Sequence, residues 1–267
     1  MKLCPLQKYS ESEVKIMKKS MSTNNNPSPT NILTIETAKD FKLVESYKAL
    51  RTNLLFAFPS LEGHTCRKVL ITSVAPGEGK TTTAVNLAIS LAQNGTRVLL
   101  IDGDMRKPSV HRYFNIKSRN GLSNILSGMN KCEDCVYQVP NMPNFSVLPS
   151  GIIPPNPSEL LGSKAMNCLL SEFEECYDYI ILDSPPLALV TDALALTPQV
   201  DGVAFVVSYG KSTIPDVNKA VEAVRFAKGN LLGVILNRIP NNKKKAYRMK
   251  DYYSEYSYNT YNEKDPE

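Results

Sequence analysis

The chain has 267 residues, enough for one full α/β domain with tails or two small domains, and 42% of them are hydrophobic, which suffices for a packed core. Its net charge of +5 is too small to argue for nucleic acid as a partner. No apolar run approaches the roughly 20 residues that span a bilayer, and no apolar signal core follows Met1, so the chain reads as cytosolic.

Residues Met1 to Asn31 are polar and without period, and the span 1–38 is expected to be a flexible N-terminal segment. From Lys39 the pattern turns helical, with Phe41, Val44, Tyr47, Leu50, Leu54 and Leu55 at three- and four-residue steps. Short apolar strands then alternate with helical stretches across the span 39–240. The strands are "KVLITS", "RVLLID", "DYIILDS", "GVAFVVS" and "LLGVILN", with "FSVLPS" as a sixth. They are near-continuous runs of Val, Ile and Leu, as expected when helices cover both sheet faces. Helices are expected over Thr81–Asn94, Ser158–Cys176 and Pro215–Lys228. The alternation predicts an α/β fold, a doubly wound and mostly parallel sheet of the P-loop NTPase kind.

In such sheets ligands bind beyond the carboxyl ends of the strands. Those ends carry the unusual residues here. "SVAPGEGKTTTAVNLA", Ser73 to Ala88, has the form of a phosphate loop running into a helix, although Val74 stands where the usual pattern has its first glycine. Gly77 and Gly79 allow backbone N–H groups to turn inward on phosphate, and Lys80 can reach the outer phosphates. Thr81 can ligate Mg²⁺. The candidate nucleotide contacts are thus Pro76, Gly77, Glu78, Gly79, Lys80, Thr81 and Thr82. "LLIDGDMRKP" adds Asp102, Asp104 and Arg106, and "YIILDSPP" adds Asp183 in the Walker B arrangement. One or two carboxylates beside phosphates are enough for Mg²⁺, so Thr81, Asp102 and Asp183 are the candidate metal ligands. Arg106 can hold its loop or reach phosphate. Asn237, after the last strand, is a candidate for the adenine edge or a turn residue.

Two further features stand apart. Cys132 and Cys135 form a CxxC among six irregularly spaced cysteines, open to reading as part of a zinc site or as partly buried thiols. The tail 241–267 is basic and then tyrosine-rich. "NRIPNNKKKAYRMK" has six basic residues and no acidic one, a solvated stretch or one suited to an anionic surface or an acidic partner. Tyr247, Tyr252, Tyr253, Tyr256, Tyr258 and Tyr261, six of the chain's 13 tyrosines, lie in the final 21 residues, where even spacing would put about one.

"SVAPGEGKT", "LLIDGDMRKP" and "YIILDSPP" together resemble the Walker A, A′ and B motifs of bacterial protein-tyrosine kinases of capsular and extracellular polysaccharide production, as do "GLSNILSG" and "PPNPSELLGS". The resemblance implies an ATP- and Mg²⁺-dependent kinase that autophosphorylates its C-terminal tyrosine cluster in a neighbouring subunit. It implies catalytic roles for Lys80, Asp102, Asp104 and Asp183, with Asp104 or Asp102 orienting the acceptor hydroxyl. It also implies a ring-forming homo-oligomer through an E-x-x-R-x-x-R pattern, matched here by Glu45, Lys48 and Arg51 with lysine in place of the first arginine. A membrane-anchored adaptor and a cognate tyrosine phosphatase are implied as partners, with the kinase peripheral at the inner face of the membrane. The rival readings are the related partitioning and division-site ATPases, which carry a lysine where this chain has Ala75, an absence that favours the kinase branch, and a nucleotide-binding scaffold of little activity.

Overall fold

The computed structural model describes residues 34–35, 40–58, 66–117 and 119–240. The tail 241–267, with its six tyrosines, and most of the span 1–38 lie outside the described residues. Thr34 and Ile35, inside that span expected to be flexible, are buried, and the Ile35 N–H donates to Asn86 Oδ1 at 2.8 Å. The packed part therefore begins ahead of Lys39.

Helix α1 covers Phe41–Ala57, started by Asp40, whose carboxylate accepts from the Lys42 N–H. The core follows as β1 (Arg67–Ser73), α2 (Lys80–Gln93), β2 (Val98–Asp102), α3 (Val110–Tyr113), α4 (Leu122–Leu126), β3 (Tyr137–Gln138) and β4 (Phe145–Leu148). It closes with α5 (Pro157–Leu161), α6 (Lys164–Glu174), β5 (Tyr179–Asp183), α7 (Asp192–Leu196), β6 (Gly202–Ser208), α8 (Ile214–Phe226) and β7 (Leu231–Asn237). The seven strands are ordered β3-β4-β2-β5-β1-β6-β7 and pair in parallel, except for β3 against β4.

Successive side chains point to opposite faces of a strand. Val69, Ile71, Leu100, Ile181 and Val206 pack with Leu54 of α1 and Ala84, Ala88 and Leu91 of α2. Leu70, Leu99, Ile101, Leu182 and Phe205 pack on the other face with Leu161, Leu170, Leu196 and Val224 from α5 to α8. Both faces are covered, which is why the strand sequences are continuously apolar. Among the described residues, no helix is long and apolar enough to cross a membrane.

The stretch Ser158–Cys176, expected as one helix, is two. Gly162 ends α5, and the Ser163 hydroxyl accepts from the Met166 N–H to start α6. A Gly-Ser pair is a stop followed by a start. The edge strand β3, two residues long, has no counterpart in the sequence reading.

Candidate active site

The site lies over the carboxyl ends of β2, β5 and β1, which are neighbours in the sheet. The loop after β1 is shaped by Gly77 (φ 72°) and Gly79 (φ 95°), both in the left-handed region that glycine adopts without a Cβ penalty. A Cβ on Gly79 would also lie 2.2 Å from Asn237 Nδ2. Gly79 caps α2 without any side-chain acceptor, so the first-turn amides of the helix are left for an anion. Val74 is buried in the core, and its carbonyl accepts from the Ala188 N–H at 3.1 Å. At that position the loop is thus anchored by packing.

Asp102 and Asp183 end adjacent strands and are both fully buried. Asp183 Oδ2 accepts from the Thr81 hydroxyl at 2.6 Å, and the Thr81 oxygen in turn accepts from Ser109 Oγ at 3.2 Å. Asp183 Oδ1 is buried without a hydrogen-bond donor, 3.6 Å from Lys80 Nζ. Lys80 Nζ donates to Asp104 Oδ2 at 2.9 Å. Burial alone would lower the Lys80 pKa, but Asp183 and Asp104 outweigh it and hold the ammonium above its usual range. Burial pushes both Asp183 and Asp102 up, and the Asp183 charge adds to the effect on Asp102. Asp102 is engaged by backbone. Its Oδ2 accepts from the Ser109 and Val110 N–H groups at 3.0 Å each, and its Oδ1 from the Asp104 N–H at 3.3 Å. Three aspartates thus gather around the single ammonium of Lys80, which leaves the cluster short of positive charge. The orphaned Asp183 oxygen and the Thr81 hydroxyl are oxygen donors of the kind that suits Mg²⁺.

The other expected residues are placed as follows. The exposed Arg106 donates to both oxygens of buried Asp192, at 2.8 and 3.1 Å, and Ser158 Oγ donates to the same carboxylate. Asn237 Nδ2 donates to the Glu78 carbonyl at 2.9 Å, so its amide is turned onto the loop. The Thr82 hydroxyl meets Tyr113 Oη at 2.7 Å. On α1, Glu45 and Lys48 pair with each other at 2.8 Å, while Arg51 Nη1 donates to the Ser90 carbonyl at 2.8 Å and so docks α1 on α2. Cys132 opens a short 3₁₀ turn and packs with buried Cys135 against the core, where burial pushes each thiol up to about 11. Among the described residues, no group of three or more metal-ligating side chains converges. Asp192, Ser158, Ser109 and Tyr113 escaped the sequence reading. Only Ser109, seven residues past Asp102 in the same loop, carries a local hint.

The AAA domain family, as a sequence profile, matches residues 66–225. The chain is 45% identical to tyrosine-protein kinase YwqD of Bacillus subtilis over 193 residues, 72% of this chain and 80% of that relative. It belongs to the bacterial tyrosine-protein kinases. By that membership it is a protein-tyrosine kinase on a P-loop NTPase fold. The kinase domain of the Escherichia coli tyrosine kinase ETK superposes with a TM-score of 0.75 at 30% identity, covering 88% of each chain. The septum site-determining protein MinD of Pyrococcus horikoshii, solved with Mg-ADP, reaches a TM-score of 0.57 at 26% identity, covering 67% of this chain and 72% of its own. The kinase likeness thus extends over more of the fold than the division-ATPase likeness does.

Proposed function

We propose that this kinase transfers the γ-phosphoryl group of ATP to tyrosines of its own C-terminal cluster, Tyr247, Tyr252, Tyr253, Tyr256, Tyr258 and Tyr261, presented by a neighbouring subunit. The observation that carries the reading is the meeting of Lys80, Thr81, Asp104 and Asp183 at the mouth of a helix-capped phosphate loop. The loop amides from Gly77 to Thr82 receive the phosphates, and Lys80 exchanges its bond to Asp104 for the outer phosphates. Thr81 and Asp183, supported by Asp102, would hold Mg²⁺, which neutralises phosphate charge. The acceptor phenol oxygen forms the new P–O bond as the bond to the ADP oxygen breaks. Its proton passes late to Asp104, which Lys80 has then released, or to Asp102. Positioning and charge neutralisation supply most of the catalysis, so no strong base is needed. In this reading Arg106 and Asn237, which bond to Asp192 and to the Glu78 carbonyl, would be further nucleotide contacts.

In this reading Glu45, Lys48 and Arg51 join subunits in a ring. A membrane-anchored adaptor of the polysaccharide co-polymerase type brings the enzyme to the inner face of the membrane and improves ATP binding, and a tyrosine phosphatase resets the tail. Each phosphotyrosine adds up to about −2 charge, so phosphorylated tails repel and the ring dissociates. The setting is capsule or exopolysaccharide synthesis. The experiment mixes a Lys80→Met chain carrying the tail with an active chain truncated after residue 240, in the presence of ATP, Mg²⁺ and the adaptor. Phosphotyrosine on the Lys80→Met chain is the expected result, and its absence, with phosphorylation only in untruncated active chains, would overturn transfer between subunits.

A further inference from the structure

Glu78 is fully buried, yet it sits inside a loop built to receive anions. A carboxylate there opposes phosphate binding electrostatically, so its presence calls for another role. Its two oxygens face different ways. Oε2 accepts from the Ala75 N–H at 2.8 Å, within the loop. Oε1 accepts from the Ser208 N–H at 3.3 Å and from Ser212 Oγ at 2.6 Å, both at the end of β6 and the turn that follows it. The carbonyl of the same residue accepts from Asn237 Nδ2 at the end of β7, and Ser208 and Asn237 are register partners. From the same turn, Lys211 Nζ donates to the Pro76 carbonyl, and a Cβ on Gly77 would lie 3.1 Å from it.

We propose that the Glu78 side chain, with Ser212, acts in positioning: it sets the curvature of the phosphate loop by tying it to the ends of β6 and β7, and its carboxylate does not touch the nucleotide. The proposal rests on reading this loop as the nucleotide cradle, and it confines the expected contact of Glu78 with nucleotide to its backbone N–H. Only a carboxylate can do this, because acceptors are required on both sides. A glutamine would turn an NH₂ toward either the Ala75 N–H or the Ser208 N–H, and an aspartate is a methylene short. Loop amides preset in this way bind phosphate without having to be ordered first.

The test is a titration of the full chain with a fluorescent ADP analogue and Mg²⁺, alongside backbone amide exchange over residues 75–80 without nucleotide. Glu78→Gln and Ser212→Ala should each weaken binding by about tenfold, as loss of a charge-assisted hydrogen bond implies. The double variant should be no weaker than Glu78→Gln alone, because both act through one contact. Ser212→Thr should restore binding, and loop exchange should speed up in the two weakened variants. For phosphotransfer, the KM for ATP should rise while kcat stays within about threefold. Wild-type exchange and wild-type affinity in both Glu78→Gln and Ser212→Ala would overturn the proposal, as would losses that multiply in the double variant. If Glu78→Gln fails to fold, Ser212→Ala decides by the same two readouts. A wild-type chain that binds no nucleotide would count against the cradle itself, while loop exchange would still decide the tie.

Discussion

Asp102 and Asp183 stand directly opposite one another, as register partners at the carboxyl ends of neighbouring parallel strands, both fully buried. Two carboxylates so placed cost the protein stability, which a cation bound beside them, as proposed, would return. Asp183→Asn should therefore raise the unfolding midpoint of the nucleotide-free protein by a few degrees, on the order of 1–2 kcal/mol. The same change should abolish the further rise that Mg²⁺ and ADP give the wild type. Thermal unfolding with and without Mg·ADP reads both effects. A variant that is less stable when empty, yet still stabilised by Mg·ADP, would refute the assignment.

Asp192 provides the acid-side test. Burial alone would raise its carboxyl, but hydrogen bonds from Arg106 and Ser158 outweigh this and hold it below the usual carboxylate range. A folded-state pKa below the unfolded value of about 3.9 means that the native state binds fewer protons there. The stabilisation is complete above that pH and is lost as pH falls through the folded pKa. Asp192→Asn should cost about 1–3 kcal/mol at pH 7 in urea unfolding, because Arg106 keeps a half-exposed charge and loses its partner. The gap to wild type should narrow below about pH 4. A gap that is equal at pH 7 and pH 3 would show that the Arg106 bond contributes nothing.

On α1, the Glu45–Lys48 pair is solvent-exposed, whereas Arg51 reaches the Ser90 carbonyl. Exposed pairs contribute little within a subunit. Glu45→Ala and Lys48→Ala should leave the stability of the subunit within about 0.5 kcal/mol and still reduce the oligomer mass seen by light scattering. Arg51→Ala should in addition speed amide exchange across 41–57, because it loses the docking bond to α2. An oligomer mass unchanged by Glu45→Ala and Lys48→Ala would place the subunit contact elsewhere.

The strands were legible because both faces of this sheet are dry, and "YIILD" and "GVAFVVS" declare it without interruption. The helix break at Gly162 and Ser163 was legible in principle, since a helix stop and a cap stand side by side. The two residues of β3 carry no period at all. At the site, Lys80, Thr81 and Asp183 were readable because their chemistry depends on residue type at fixed local spacing. The partners of Glu78 were not. Ser208, Ser212 and Asn237 lie 130 or more residues away and are ordinary polar types, and only the sheet order brings them to the loop. The same holds for Asp192, which meets Arg106, and for Ser158, which donates to Asp192 where α5 packs on α7.

The most direct measurement is site-resolved mass spectrometry of the full chain after incubation with ATP, Mg²⁺ and its adaptor, wild type beside Lys80→Met. The account predicts phosphate on tyrosines between Tyr247 and Tyr261 in the wild type and at least a 100-fold loss in Lys80→Met, as expected when the phosphate-binding charge is removed. Equal labelling of the two chains, or wild-type phosphate confined to residues outside that tail, would contradict it.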